Sequence, residues 1–257
     1  MPIVTTLLDD QSPLIQYNGI WGYGGSAGDV YGSYYYLGTY TVSNRPNNQS
    51  ATFTFKGTGF TIYGSNRGDH GLFQVSVDGE TYQNNSENAA AVTLQQVLLT
   101  QTNLTQGELH NVTITNLAPL DSPYLDVDFV TWETPVGEDD QGIASILVQD
   151  TDPSFDYQPA DAWSTNPSNI TQYKDGTGHI TSTDGAYVAF TLTGDVVNLY
   201  GSTGPECGNY SISLDEGPAS QYNASRAFSA YQNVIYHANN LGPGTHKINV
   251  TNNVAVG

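Results

Sequence analysis

The chain repeats itself. Residues 51–65, ATFTFKGTGFTIYGS, align with residues 188–202, VAFTLTGDVVNLYGS, at a constant offset of 137. Phe53, Gly57, Tyr63, Gly64 and Ser65 fall on Phe190, Gly194, Tyr200, Gly201 and Ser202. The same offset carries Val75–Asp78 onto Ile212–Asp215, and one deletion later GELHNVTITN (107–116) meets GTHKINVTN (244–252). Upstream, LLDDQSP (7–13) matches LVQDTDP (147–153), each followed by a Tyr (Tyr17, Tyr157) and a Trp (Trp21, Trp163). A duplicated sequence constrains the fold strongly, because one supersecondary plan must serve both halves. The expected units are residues 1–136 and 142–257, joined through TPVGEDDQG at 134–142. Each has about 120 residues, enough to bury a core of its own.

Both halves read as strands. Apolar residues alternate with Thr through Phe53, Phe55, Phe60 and Ile62, with Gly57 and Gly59 turning the chain between them. Phe73, Val75 and Val77 alternate up to the turn signal Asp78-Gly79, and Leu125, Val127 and Phe129 alternate with Asp126 and Asp128. No useful window carries the 3.6-residue period of a helix. Short strands separated by Gly and Asn turns predict an all-β protein of two tandem antiparallel β-sandwiches.

Charge then removes several functions. Six Lys and Arg stand against 25 Asp and Glu, a formal net charge of −19. Nucleic-acid backbones need clustered basic residues, and anionic lipid attracts only positive surfaces. The apolar runs span a few residues, short of the ~20 that cross a bilayer as a helix. Nucleic-acid partners and membrane insertion of this segment are therefore not expected.

Asparagine speaks for an extracellular setting. N-x-S/T sequons occur at Asn48, Asn84, Asn103, Asn111, Asn169, Asn209, Asn223 and Asn249, where chance at this Ser and Thr content gives about four. Asn111, Asn209 and Asn249 alternate with apolar residues, which places them on the outward strand face. Secretion with covalent N-glycans is the expectation. The single cysteine, Cys207, allows no intrachain disulfide. Met1–Leu8 lacks the basic region and apolar core of a signal peptide, so the chain reads as the mature part.

The D-x-D-P stretch followed by Tyr and Trp, then F-T-F-x-G-T, Y-G, V-D-G and G-x-H-x-I-x-V-T-N, resembles the galactose-binding-like jelly rolls found in ectodomains of fungal secreted and membrane proteins. The resemblance covers residues 8–133 and 147–253 and implies the fold rather than an activity. Such a repeat usually closes with a strand like Leu125–Val130, and the second repeat, which runs out at Asn252–Gly257, lacks it. Two explanations stand side by side. The native chain continues past Gly257, or another copy supplies the strand, with the β-prone residues Ile3, Val4, Thr5, Thr6 and Leu7 as donor. Head-to-tail donation would not close on itself and would build a fibre. The resemblance also implies a structural calcium ion, with Asp10, Asp128 and Asp152 as first candidates.

Other chemistry finds little footing. Gly24-Gly-Ser26-Ala-Gly28 fits G-x-S-x-G, but nothing helical follows, as a nucleophile elbow requires. The five histidines form no zinc spacing, and His110 and His246 occupy equivalent strand starts. Asp126 and Asp128 share one strand face, a geometry open to glycoside hydrolysis, whereas Asp near Pro or Gly more simply caps turns. The expectation is a non-enzymatic protein. Aromatic residues are the binding candidates: Trp21 and Tyr23 in the first repeat, Trp163 and Tyr173 in the second, as platforms for sugar rings. Tyr34–Tyr36 alternate as a strand would. The function expected first is a self-associating extracellular structural glycoprotein. The alternative is a carbohydrate-binding or cell-wall-adhesion ectodomain with polysaccharide as partner.

Overall fold

A computed structural model describes residues 1–25, 28–44, 49–86, 90–139 and 142–253, with the backbone alone for 83–86. The chain divides into two compact units, Ile3–Val136 and Gly137–Gly257. No α-helix occurs among the described residues, and no helix is long and apolar enough to cross a membrane. The fold is all-β, and every ladder is antiparallel.

Unit 1 contains β1 (Ile3–Asp9), β2 (Gln16–Asn18), β3 (Gly22–Gly25), β4 (Thr39–Ser43), β5 (Ser50–Lys56) and β6 (Gly59–Asn66). It continues with β7 (Leu72–Val77), β8 (Glu80–Ser86), β9 (Thr93–Thr102), β10 (Leu109–Asn116), β11 (Leu125–Val127) and β12 (Phe129–Pro135). One sheet has the order β1-β12-β6-β9, a second β2-β5-β10-β7-β8, and a third, smaller one β11-β4-β3. The alternation read from the sequence is what builds the core. Phe53 and Phe55 of β5 face Phe60 of β6 and Trp132 of β12 across the two larger sheets, with ring centroids 5.6–6.4 Å apart.

Unit 2 contains β13 (Asp156–Gln158), β14 (Tyr187–Thr193), β15 (Val196–Thr203), β16 (Asn209–Leu214), β17 (Ser220–Asn223), β18 (Ala230–Asn239) and β19 (Thr245–Asn253). Its five-stranded sheet, β13-β14-β19-β16-β17, reproduces β2-β5-β10-β7-β8 strand for strand. The facing layer holds only β15-β18 among the described residues, the counterparts of β6 and β9. Strands equivalent to β1 and β12 are absent from the described part of unit 2. Its buried core is correspondingly thin: Phe190, Tyr210, Ile212, Ala224, Tyr236 and Ile248, with Leu192, Val197 and Leu199 only partly covered.

Two expectations need correction. Residues Ile3–Leu7, offered as a strand donor, are committed within unit 1: β1 pairs with β12 from Ile3↔Pro135 to Asp9↔Phe129. Donation would first have to break that ladder. The stretch 125–133 is also not one strand with an outward acidic face. It breaks at Asp128, so that β11 pairs with β4 while β12 passes between β1 and β6. With cover on both sides, Asp126 and Asp128 are fully buried.

Candidate functional site

The described part of the segment between β3 and β4, residues 28–38, forms no strand. It folds into two 3-10 turns, Gly32–Tyr34 and Tyr36–Gly38, with Leu37 in the left-handed region at φ 49°. This corrects the strand reading of Tyr34–Tyr36. The turns send Tyr35 inward, where it is buried, and Tyr34 outward, where 65% of it is exposed. Tyr31, Val30 and Leu37 are exposed beside it, making an apolar and aromatic ledge.

The ledge rests on a polar network that fixes its position. Asp126, wholly buried, accepts from the Ser65 amide at 2.7 Å, from Ser65 Oγ at 2.6 Å and from Tyr35 Oη at 2.6 Å, and pairs with His70 Nε2 at 3.2 Å. Burial alone would raise its pKa, but the bonds and charge from His70, Ser65 and Tyr35 outweigh it and hold the carboxyl below its usual range. For His70, burial works the other way and is outweighed by Asp126 and Asp69, so the imidazole is raised. Gly64 makes this contact possible, because a Cβ there would lie 2.6 Å from the Asp126 carbonyl oxygen.

Arg67 ties the network to the ledge. Its guanidinium donates to Asp29 Oδ2 at 2.8 Å and to Tyr35 Oη at 2.7 Å. It also lies 5.2–5.6 Å from the ring centroids of Tyr31, Tyr35 and Tyr40. Tyr40 stacks on Tyr35 at 4.2 Å and donates to Asp29 at 2.8 Å. Burial opposes ionisation of Asp29, but the Tyr31 amide, Tyr40 and Arg67 together keep its pKa low. From the rim, Gln95 Nε2 donates to the Tyr34 carbonyl at 3.0 Å, and the Tyr36 amide donates to Asp128 Oδ1 at 2.9 Å. The exposed ring of Tyr34 therefore stands on a backbone held from both sides.

The residues named from sequence are placed differently. Trp21 is 9% exposed. It packs 5.0 Å from Tyr17 and donates through Nε1 to the Asn18 carbonyl, so it offers no open ring face. Tyr23 is half-buried in β3, paired with Thr41. In unit 2, Trp163 is half-buried edge-on to Tyr157 at 5.0 Å, and Tyr173 is half-buried with its hydroxyl on Ser202 Oγ at 3.2 Å. Ser26 and Asn48 lie outside the described residues, and Asn84 is described in its backbone only. Asn103, Asn111, Asn169 and Asn223 are exposed, while Asn209 and Asn249 are half-buried. Asn249 lies in a groove of about 270 Å³ with Asp156, Tyr187 and Lys247 on the outer face of the unit 2 sheet. Cys207 is a free, half-buried thiol whose pKa burial pushes up.

The calcium set does not assemble. Asp10 Oδ1 and Oδ2 accept from Thr39 and Thr41 at 2.8 and 2.6 Å, and Asp152, in unit 2, accepts from the Ser154 amide on an exposed turn. Among the described residues no group of three His, Cys, Asp or Glu side chains is placed to hold one ion. Asp9 Oδ1, Gln11 Oε1 and Asp128 Oδ2 are buried without hydrogen-bond partners. Burial and the neighbouring carboxylates drive Asp9 upward and push Asp128 up to about 8.

No family model matches the chain. Over 243 residues it is 23% identical to an A type blood alpha-D-galactosamine galactosaminidase of Flavonifractor plautii. That match takes in 95% of this chain and 21% of the other, so the chain spans about a fifth of the curated relative's length. Among solved structures, the CBM36-1 domain of a multidomain xylanase from the hindgut metagenome of Trinervitermes trinervoides is matched in full by 52% of this chain, at 16% identity and TM-score 0.37. A carbohydrate-binding module CBM36 in complex with calcium and xylotriose is matched over 97% of its length by 49% of this chain, at 16% identity and TM-score 0.33. The tandem CBM22 domains of Paenibacillus barcinonensis are matched over 86% by 95% of this chain, at 12% identity and TM-score 0.26.

Proposed function

We propose that this chain is a carbohydrate-binding protein and that the ledge of unit 1 is its contact surface, with Tyr34 stacking on the C–H face of a sugar ring. The observation that carries this reading is an exposed tyrosine whose carbonyl is held by Gln95 and whose neighbour Tyr35 is anchored by Asp126 and Arg67. A ring on a held backbone has only its two side-chain torsions left to order on binding. With a net charge of −19, neutral sugars are favoured over anionic ones. Binding without catalysis fits the acids of unit 1, since Asp126 and Asp128 are buried and present no open facing pair. A curated relative named as a galactosaminidase, of which this chain matches a fifth, fits an ancillary sugar-binding part. The setting is extracellular, with N-glycans at the exposed sequons Asn103, Asn111, Asn169 and Asn223. Self-association through Ile3–Leu7 has weaker support, because that segment is already β1.

The test is affinity electrophoresis and titration calorimetry against a panel of neutral polysaccharides. Tyr34→Ala should weaken binding by about tenfold, the value of one lost aromatic contact. Tyr34→Phe should retain it, and Tyr200→Ala, an exposed tyrosine of unit 2, should leave it unchanged. Equal affinity of the Tyr34→Ala and unsubstituted chains would overturn the assignment.

A further inference from the structure

The outer faces of the two five-stranded sheets differ along one transverse row. In unit 1 the row runs Gln16–Thr52–Thr113–Ser76, each residue paired with the next across β2, β5, β10 and β7. In unit 2 the corresponding row is Asp156–Ala189–Asn249–Ser213, across β13, β14, β19 and β16. Both rows point away from the core, because the neighbours Phe53, Val112 and Val75, or Phe190, Ile248 and Ile212, are the buried residues.

The unit 1 row satisfies itself: Thr52 Oγ1 and Thr113 Oγ1 are hydrogen-bonded at 3.0 Å. In unit 2, Ala189 stands in place of the first threonine, and two things follow. The floor is hollowed, and Asn249 faces a methyl group instead of a hydroxyl. Asn249 Oδ1 is buried without a hydrogen-bond partner, a cost that a donor from outside removes. The flanks differ as well. Tyr187 stands where unit 1 has Ser50, Lys247 where it has Asn111, and Glu216 where it has Gly79. Together they wall the hollow into the groove of about 270 Å³.

Volume and charge then select a ligand. Small-molecule pockets run upward from about 300 Å³, so this one suits a single ring rather than a chain. Its lining is rich in acceptors: Asp156, Ser213, Glu216 and Asn249 Oδ1. The ammonium of Lys247 lies 4.0 Å from Glu216 Oε1. Asp156, two strands and about 10 Å from Asn249, has only the neutral Gln158 Nε2 on its Oδ1, at 2.7 Å, among its printed partners. A net charge of −19 further favours a cation at that carboxylate.

We propose that this groove binds one amino-sugar residue. Its ammonium pairs with Asp156, its hydroxyls donate to Asn249 Oδ1 and Ser213 Oγ, and its C–H face lies over Ala189 beside Tyr187. The site belongs to unit 2 and is independent of the ledge of unit 1. It requires Asn249, although part of a sequon, to carry no glycan.

The probe is glucosamine, added to the isotope-labelled full chain at about pH 6, where amines carry a proton. The expected result is saturable millimolar binding that shifts the amide resonances of Ala189, Ser213 and Asn249. It should be about tenfold tighter than glucose, which lacks the charge, or ethanolamine, which lacks the ring. Ala189→Thr, which restores the unit 1 residue and fills the floor, should abolish binding without lowering the melting temperature. Asp156→Asn should bring glucosamine down to the level of glucose, and Tyr34→Ala, the test of the ledge, should change nothing here. Absent shifts with glucosamine, equal binding of glucose or ethanolamine, or undiminished binding in Ala189→Thr would each overturn the proposal. So would an N-glycan found on Asn249 by peptide mass spectrometry.

Discussion

Asp10 in unit 1 and Asp150 in unit 2 are held in the same way. Each gives its carbonyl oxygen to a tyrosine hydroxyl, Tyr17 or Tyr157, and its carboxylate to side chains downstream, Thr39 and Thr41 or Thr177 and His179, with Gln11 a further donor to Asp10. Gln95 and Gln232 likewise donate to the carbonyls of Tyr34 and Gln172, the last residues of the 3-10 turns Gly32–Tyr34 and Ile170–Gln172, at 3.0 and 3.1 Å. Asp78 with His110 and Asp215 with His246 clasp the same hairpin, both at 2.8 Å. What differs is the apolar closure and the ledge. Unit 1 closes with β1 and β12 and carries Tyr31, Tyr34 and Arg67, where unit 2 has Asn169, Gln172 and Gly204. The lesson is that local polar tethers shape the loops independently of the core. One frame can therefore carry an exposed aromatic ledge in one copy and, among the described residues, a free strand edge in the other.

The sharpest way to break this comparison is to remove the closing ring. Trp132→Ala should cost unit 1 about 3–5 kcal/mol in denaturant unfolding. Phe190→Ala should cost unit 2 visibly less, because its surroundings are already partly uncovered. Next comes the network under the ledge. Asp126→Asn should destabilise unit 1 by about 2–4 kcal/mol, since it turns an amide donor toward groups that already donate. In the unaltered chain the lowered pKa of Asp126 keeps this contribution intact above ~3.9 and loses it only as pH falls through the folded value.

Asp128 has the opposite sign. Its folded pKa of about 8 means that the folded state keeps a proton that the unfolded state releases near ~3.9, so stability declines as pH rises between the two. Asp128→Asn should stabilise unit 1 at pH 8 by on the order of 1–3 kcal/mol, with the gain fading toward pH 4 in thermal melts at a series of pH values. The smallest effect belongs to the hairpin turn. Unit 1 uses Asp78-Gly79, with φ 54° and 88°, where unit 2 uses Asp215-Glu216, with φ 51° and 58°. Glu216→Gly should stabilise unit 2 by about 1 kcal/mol, measured by its melting temperature.

The frame was legible because period-two alternation and a shared offset are local signals. Phe53, Phe55 and Phe60 fall inward as their spacing implies. Asp126 and Asp128 misled because alternation assumes one solvated face, and a strand crossing from one sheet to the next has none. The tyrosine run misled for a related reason: its glycines permit turns as readily as strands, and the left-handed Leu37 has no sequence signature. Trp21 looked like a loop aromatic, but Tyr17, four residues earlier, supplies its packing partner. A signal for the proposed site is present in Arg67, one of six basic residues in an acidic chain and placed just after the Tyr-Gly-Ser motif. A lone cation there needs acidic and aromatic partners, and Asp29, Tyr31, Tyr35 and Tyr40 provide them.

Residue-resolved hydrogen exchange of the full chain, without ligand, compares the two units most directly. Amides of β6 that face β12 should exchange only on global opening, and amides of β15 that face away from β18 should exchange at least ~100-fold faster. Equal protection along β6 and β15 would contradict the claim that unit 1 is closed and unit 2 open.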